Sequence, residues 1–191
     1  DMDIKQEIEK RGEILPNNVL KVNSFLNHQL EPKLLDEMAN LWYLKYKDKK
    51  ITKIITIEAS GIALAILTGL RFNVPVVYAK KTSSSNMGAV YTSKVHSYTK
   101  NKDYIISIEK QFLNENDNIL IIDDFLANGS AALGLIAIIN QANAKTIGIG
   151  IAIEKGFQHG GDMLREKGFD VYSLAIIDEM DSINKKIKFR Y

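Results

Sequence analysis

The chain has 191 residues, of which 46% are hydrophobic and 25% are charged, which is typical of a globular protein that buries a substantial core. The formal net charge is only +2, so no basic surface for nucleic acid is indicated, and the absence of cysteine excludes disulfides, thiol nucleophiles and zinc–thiolate sites. No apolar run reaches the ~18 residues that a membrane-spanning helix needs, and the polar start of the chain lacks the pattern of a signal peptide. We therefore expect a cytoplasmic protein with neither a nucleic-acid nor a membrane partner.

The first part of the chain predicts helices that give way to a strand–helix–strand unit. Apolar residues recur at helical spacing in some segments, and β-branched residues cluster in others. In chain order the predicted elements are a helix over residues 3–11, a turn at 16–18, a helix over 32–46, a strand over 51–57, a helix over 61–72 and a strand over 74–79. A strand–helix–strand order implies a βαβ unit with parallel strand pairing.

The second part predicts a mobile loop, a hairpin and a further α/β series. Residues 80–90 are mostly polar and rich in Ser and Lys, so we expect the segment 82–95 to close over a bound ligand. Then follow an antiparallel hairpin over 90–98 and 103–109, strands over 119–122, 146–153 and 171–177, helices over 130–141 and 158–167, and an edge strand over 187–191. There are no repeats and no linker, so we expect a single α/β domain spanning residues 1–191.

The strongest chemical signal is the segment from Ile119 to Ala131. An apolar strand ends in Asp123 and Asp124, and a turn of small residues then leads into a helix. In an open α/β sheet, ligands bind beyond the carboxyl ends of the strands. The two carboxylates can accept hydrogen bonds from ribose hydroxyls, and the helix N-terminus offers N–H groups to a phosphate. The alternative is an ordinary strand-end turn that binds nothing.

This segment resembles the phosphoribosyl pyrophosphate (PRPP) signature of type I phosphoribosyltransferases. The version Asp-Asp-Phe-Leu-Ala-Asn-Gly is most similar to the bacterial xanthine branch of that family, although Asn128 stands where the common pattern has Thr and Ser130 where that branch often has Gln. Three further segments resemble the family in the same order, namely 19–29, 58–62 and 153–155.

The resemblance implies a type I phosphoribosyltransferase fold, with a mainly parallel central sheet flanked by helices and a small base-binding hood to which residues 1–30 contribute. It implies transfer of phosphoribose from PRPP to xanthine in purine salvage, by a homodimer, with Mg²⁺ bound through PRPP and water rather than at a dedicated protein site. The implied site residues are the catalytic pair Asp123 and Asp124; Ala127, Asn128, Gly129, Ser130 and Ala131 for the 5′-phosphate; Ala59, Ser60, Gly61, Lys80 and Lys81 for pyrophosphate; and Leu20, Asn27 and Lys155 for xanthine.

Three alternatives remain open at this point. The base could be another purine, hypoxanthine, guanine or adenine, although Lys155 suits a 6-oxo group better than the 6-amino group of adenine. A PRPP-sensing regulator could share the fold, but no room for a DNA-binding domain precedes residue 50. An enzyme with a nucleotide cofactor is disfavoured because the chain has neither a GxGxxG nor a Walker A sequence.

Two minor expectations concern aromatic and histidine side chains. Phe157 either stacks on the base or packs in the core. His28, His96 and His159 lack metal-ligand spacing and are expected to be structural or exposed.

Overall fold

Ten strands and five α-helices make up the computed structural model, which describes residues 3–82 and 89–191. The helices are α1 (Ile4–Arg11), α2 (Pro32–Tyr46), α3 (Ile62–Phe72), α4 (Ser130–Gln141) and α5 (Gly160–Glu166). The strands are β1 (Glu13–Leu15), β2 (Val19–Lys21), β3 (Lys53–Ile57), β4 (Val76–Thr82), β5 (Val90–Ser97), β6 (Lys102–Glu109), β7 (Asn118–Leu126), β8 (Lys145–Lys155), β9 (Val171–Asp181) and β10 (Lys186–Arg190). None of the helices in these ranges is long and apolar enough to cross a membrane.

Eight of the strands form one sheet, in the order β10-β9-β8-β7-β3-β4-β6-β5. The five strands β9, β8, β7, β3 and β4 pair in parallel, which confirms the predicted βαβ unit. Strand β10 at one edge and the β5–β6 hairpin at the other pair antiparallel, as the sequence predicts. The fold is therefore α/β with a mainly parallel sheet.

Helices cover both faces of the sheet because its central strands are apolar on both sides. On β7, Leu120 and Ile122 pack into a core with residues of α1, α2 and α3. Ile119 and Ile121 point the other way, into a second core with α4 and α5. All four side chains are at most 1% exposed. Burial of each such side chain contributes about 1.5–3 kcal/mol, so β7 ties the two helix layers together.

The N-terminal segment forms a small unit at the carboxyl end of the sheet. Strands β1 and β2 pair only with each other, in a hairpin that the sequence did not predict. Arg11 anchors the segment through two contacts with Glu31, at 2.5 and 2.8 Å. Lys185 donates to the carbonyl oxygen of Ile14 at 2.9 Å, which fixes the hairpin against the loop between β9 and β10.

Some predicted boundaries are wrong because strand pairing outweighs local composition. Strand β4 continues to Thr82, since Lys80 and Lys81 pair with β6, so both lysines lie in a strand rather than in the predicted loop. Strand β7 likewise continues past the acidic pair to Leu126, paired with β8. The predicted closing segment 82–95 includes residues 90–95 of β5, and its residues 83–88 lie outside the described part of the chain.

Candidate active site

Asp123 and Asp124 lie near the carboxyl end of β7, in the middle of the sheet. Each carboxylate accepts a hydrogen bond from the next main-chain N–H, from Asp124 to Asp123 and from Phe125 to Asp124, both at 2.8 Å. The side chain of Asp124 is buried, whereas Asp123 borders a cavity of about 180 Å³. The strand thus holds two carboxylates side by side, with one of them facing open space.

Burial raises the pKa of Asp123 well above its usual range, and repulsion from Asp124 raises it further. The main-chain N–H of Asp124 and the positive charge of Lys81 act in the opposite direction but are weaker. Asp123 keeps some contact with the cavity, yet protein atoms surround it closely enough for desolvation to dominate. A carboxylate in this state favours a ligand that brings hydroxyl donors or positive charge.

The turn after β7 lines the same cavity. Its residues Ala127 to Ala131 surround the cavity together with Asp123 and the facing strand β5. Gly129 has φ +86°, a left-handed conformation that favours glycine, and directly precedes α4. No side chain caps this end of α4, so no side-chain hydrogen bond satisfies its first main-chain N–H groups, which lie at the cavity that Ser130 and Ala131 line. A helix N-terminus of this kind is suited to an anion, and its role as a 5′-phosphate loop stays a prediction.

The loop after β3 approaches the acidic pair from the other side. Gly61 packs against the hydroxyl of Thr56, and a Cβ atom at Gly61 would lie 3.1 Å from Asp123 Oδ1. The peptide bond between Glu58 and Ala59 is cis. The carboxylate of Glu58 accepts a hydrogen bond from the main-chain N–H of Lys81 at 2.8 Å. The structure therefore brings the predicted pyrophosphate loop, Ala59 to Gly61, next to Asp123.

The two predicted lysines have different surroundings. Lys81 lies with its ammonium 5.3 Å from the ring centroid of Tyr104, and its charge acts on Asp123. Lys80 is exposed and lines a different cavity, beside Tyr78 and Phe112. The side chains of successive strand residues point to opposite faces, which explains the separation. Lys81 is therefore the better placed of the two to meet a ligand held at Asp123.

The three predicted base-binding residues have different surroundings. Lys155 ends β8, its ammonium lies 5.6 Å from the ring centroid of Phe125, and it approaches the carbonyl oxygen of Asn18 at 3.5 Å. Burial lowers the pKa of Lys155. The side chain of Leu20 is buried within the hairpin unit, in the core formed with α1 and α2, whereas Asn27 is exposed. Lys155 thus links β8 to the N-terminal unit.

Several residues near the cavity are not apparent from the sequence motif. Tyr104 borders the cavity from β6. Burial raises the pKa of Tyr104, and the negative charge of Asp123 raises it further. Gly160 donates its N–H to the carbonyl oxygen of Ala127 at 3.0 Å and so stabilises the turn after β7. These residues are distant from the motif along the chain, and only strand pairing or the β8–α5 connection places them there.

The minor expectations have mixed outcomes. Phe157 packs against the core that contains α2 and α3, which favours the core reading. His28 is exposed. His96 is partly exposed, with Nδ1 2.6 Å from Asp103, and its main-chain N–H donates to the hydroxyl of Ser130 at 3.1 Å. His159 is exposed, and its left-handed conformation, with φ 65°, explains why α5 begins at Gly160 rather than Gln158.

The carboxylates of the site suit a cation that binds together with a ligand. Within residues 3–82 and 89–191, no group of three or more His, Cys, Asp or Glu side chains could hold a metal ion. Of the acidic pair, Asp123 borders the cavity and Asp124 is buried beside it. That set fits Mg²⁺, which usually keeps several waters and takes much of its coordination from substrate phosphates.

Comparison with known proteins assigns the fold and the family. A family model for the phosphoribosyl transferase domain matches residues 22–185. The xanthine phosphoribosyltransferase of Ruminiclostridium cellulolyticum is 56% identical over 180 residues, which cover 94% of this chain and 95% of the relative. The protein of the same name from Bifidobacterium adolescentis is 52% identical over 190 residues, or 98% of each chain.

Solved structures agree with this result at the level of the fold. Adenine phosphoribosyltransferase from Trypanosoma brucei, in complex with AMP, pyrophosphate and ribose-5-phosphate, matches with a TM-score of 0.75 at 17% identity over 92% of this chain and 80% of that one. APRTase from Giardia lamblia, complexed with 9-deazaadenine, matches with a TM-score of 0.74 at 22% identity over 92% and 98%. The predicted type I phosphoribosyltransferase fold is confirmed, and this chain belongs to the phosphoribosyltransferase family.

Proposed function

We propose that this protein transfers the 5-phosphoribosyl group of PRPP to xanthine, giving xanthosine 5′-monophosphate and pyrophosphate in purine salvage. The observation that carries the proposal is the single cavity bordered by Asp123 and by the turn from Ala127 to Ala131. A ribose phosphate needs these two features together: carboxylates that accept hydrogen bonds from its hydroxyls, and a helix N-terminus that binds its phosphate. The relatives that match over nearly the whole chain are named xanthine phosphoribosyltransferase, which supports the choice of base.

The reaction requires little covalent chemistry from the protein. A ring nitrogen of the purine bonds to C1 of the ribose, the bond from C1 to the pyrophosphate oxygen breaks, and the purine loses its ring proton. Asp123 and Asp124 hold the ribose 2′- and 3′-hydroxyls and stabilise positive charge that develops on the ribose. The turn after β7 holds the 5′-phosphate, which orients C1 towards the base.

Pyrophosphate leaves on the side of the loop after β3. The main chain of Ala59 to Gly61 and the ammonium of Lys81 face that side, next to Asp123. Mg²⁺ that enters with PRPP would contact the acidic pair directly or through water and neutralise charge on the pyrophosphate. Lys80 remains a predicted pyrophosphate ligand, but its side chain lines a different cavity and would have to turn towards Asp123 to reach the pyrophosphate.

The proposed base site lies between β8 and the N-terminal unit. Lys155 has a partly desolvated ammonium that gains from contact with a carbonyl oxygen at position 6. Leu20 and Asn27 come from the segment that the hairpin β1–β2 anchors, which is the hood to which residues 1–30 contribute. Asn27 is exposed, so its side chain is open to contact by a base.

We also propose a homodimer in the cytoplasm, formed by one domain per chain. Two neighbouring helices expose large apolar residues, Leu41 and Leu44 on α2 and Ile66 and Leu70 on α3, and Leu70 is 74% exposed. Contiguous exposed apolar surface favours association with another protein surface. Light scattering in solution should therefore give twice the chain mass of 21.5 kDa, and a mass of one chain would contradict the dimer.

The raised pKa of Asp123 predicts a variant that gains stability as it loses activity. An acid whose pKa is higher in the folded chain than in the unfolded one destabilises the fold above the folded pKa, and this cost disappears below the unfolded pKa. Asp123→Asn should therefore raise the melting temperature at pH 7, and the gain should shrink as the pH falls. Turnover should drop on the order of 10²-fold, because a charge that stabilises the transition state is lost.

Calorimetry across pH and a pyrophosphate-release assay test both parts of this prediction. Asp48→Asn is the control, since Asp48 is exposed and lies outside the site. It should change neither stability nor turnover. Normal turnover in Asp123→Asn would contradict the proposed role of the pair.

Gly129 and Gly168 form a matched pair for testing the phosphate turn. Both have a left-handed φ, +86° and +93°, so alanine costs roughly 1–2 kcal/mol of backbone strain at either position. At Gly129 the new Cβ would also lie 2.7 Å from Met163, whereas at Gly168 nothing lies within 4 Å. Titration calorimetry should show that Gly129→Ala weakens PRPP binding at least about 10-fold and that Gly168→Ala leaves it unchanged. Equal affinities in the two variants would refute the phosphate assignment.

The choice of base is tested with each purine in turn. Wild-type protein should release pyrophosphate from PRPP faster with xanthine than with hypoxanthine, guanine or adenine. Asn27→Ala should lower kcat/KM for xanthine more than for hypoxanthine, because only xanthine has the 2-oxo edge that an amide can recognise. Lys155→Ala should weaken both bases by a similar factor, since both carry the 6-oxo group. A preference for hypoxanthine or guanine would favour the alternative 6-oxopurine enzyme.

A further inference from the structure

Glu154 is a buried carboxylate that the proposed reaction does not use. Its residue is 1% exposed, although it lies next to the base-site residue Lys155 on β8. Arg165 donates to both of its oxygens, at 2.8 and 3.0 Å, and the hydroxyl of Ser173 donates to Oε1 at 2.6 Å. A carboxylate this deeply buried is costly unless it is fully paired, and these partners hold it in one orientation.

Two glycines fill the space between this carboxylate and the phosphate turn. A Cβ atom at Gly161 would collide with the carboxylate of Glu154, lying 2.7 Å from Oε1. A Cβ atom at Gly160 would collide with the carbonyl oxygen of Ala127 and lie 2.6 Å from the nitrogen of Gly129. The N–H of Gly160 also donates to that carbonyl oxygen at 3.0 Å. The carboxylate, the two glycines and the turn are therefore in direct contact, with no side chain between them to absorb a shift.

Glu154 also directly precedes the predicted base-site residue Lys155 on β8. Side chains of successive strand residues point to opposite faces, so Glu154 points into the protein and Lys155 points towards Phe125. A change in how Glu154 is seated moves the end of β8, and with it both the turn contacted by Gly160 and the ammonium of Lys155.

We propose that Glu154 is a positioning residue that sets the 5′-phosphate turn through Gly161 and Gly160 and holds Lys155 at the base site. Clamped by Arg165 and Ser173, its carboxylate is the fixed support against which the glycine pair rests. The identity of the two ligands, PRPP and a 6-oxopurine, rests on the proposed function. The mechanical link between the two subsites rests on the contacts of Glu154, Gly160 and Gly161.

The test is Glu154→Gln, which keeps the shape of the side chain and removes the charge that Arg165 clamps. A poorly seated turn weakens binding of the 5′-phosphate in the ground state and the transition state alike, which raises KM with little change in kcat. We expect KM for PRPP and KM for the base to rise at least about 5-fold each, with kcat within about 3-fold of wild type. The dissociation constant of PRPP from titration calorimetry should rise with the KM for PRPP.

A purely structural role for Glu154 gives a different result. Destabilised protein loses active molecules, which lowers the apparent kcat, while the surviving molecules keep both KM values. Either KM staying within about 2-fold of wild type would therefore overturn the proposal. The matched control is Asp36→Asn, which breaks a two-point contact with Arg71, at 2.8 and 3.2 Å, between α2 and α3. It should leave both KM values unchanged.

Ser173→Ala keeps the proposal testable if Glu154→Gln does not fold. It removes one hydrogen bond to Oε1 and leaves the contact with Arg165, so it should raise both KM values by a smaller factor, and unchanged values would overturn the proposal. Wild-type protein that binds PRPP but prefers a base other than xanthine would contradict the xanthine assignment and leave the expected effect on PRPP affinity in place. Normal wild-type turnover of xanthine beside unchanged KM values in Glu154→Gln would overturn the positioning role alone.

Discussion

The desolvation of two carboxylates at the end of a buried strand is the constraint on which the rest of the site depends. Strand β7 lies between two helix layers, and its aliphatic residues are almost completely buried. The strand therefore carries the acidic pair into the protein, where burial makes ionisation of Asp123 costly, as its raised pKa indicates. Main-chain N–H groups and Lys81 offset only part of that cost. A cationic transition state or a hydroxyl-rich ligand supplies the positive charge or the hydrogen-bond donors that the folded chain does not provide. The same burial that lowers the stability of the fold therefore strengthens binding.

The other parts of the site are held by close contact between main-chain segments. Gly61 lies against the side chains of Thr56 and Asp123, whereas Gly160 lies against the main chain of the turn after β7, so the loops after β7 and β8 contact each other without intervening side chains. Backbone contacts of this kind position N–H groups more firmly than long side chains can. This explains why glycine occupies the contact points, since any larger residue would separate the loops.

Local chemistry could be predicted from the sequence, and long-range geometry could not. The segment from Ile119 to Ala131 carries its strand, its turn and its helix start in one stretch, so the sequence predicted their order, although β7 continues past the acidic pair to Leu126. The end of β4 was missed because pairing with β6 keeps Lys80 and Lys81 extended despite their polar neighbours. Tyr104 and Glu154 give no local signal, because strand order alone brings the first near Asp123 and the β8–α5 connection sets the second beneath the turn.

The fold and the choice of base depend on different residues. Adenine phosphoribosyltransferases share the fold with this chain at 17–22% identity, so the fold alone does not identify the base. In the proposed site that choice comes from groups at the rim, where Lys155 lies against Phe125 and beside the hood. A partly desolvated ammonium pairs well with a carbonyl oxygen, but an amino group at the same position would leave two donors facing each other without an acceptor. Such an unpaired buried donor costs about 1–3 kcal/mol, which is enough to separate 6-oxopurines from adenine by one to two orders of magnitude. Discrimination between xanthine and hypoxanthine needs a second contact in the proposed site, because both bases carry the 6-oxo group, and Asn27 of the hood remains the predicted residue for that contact.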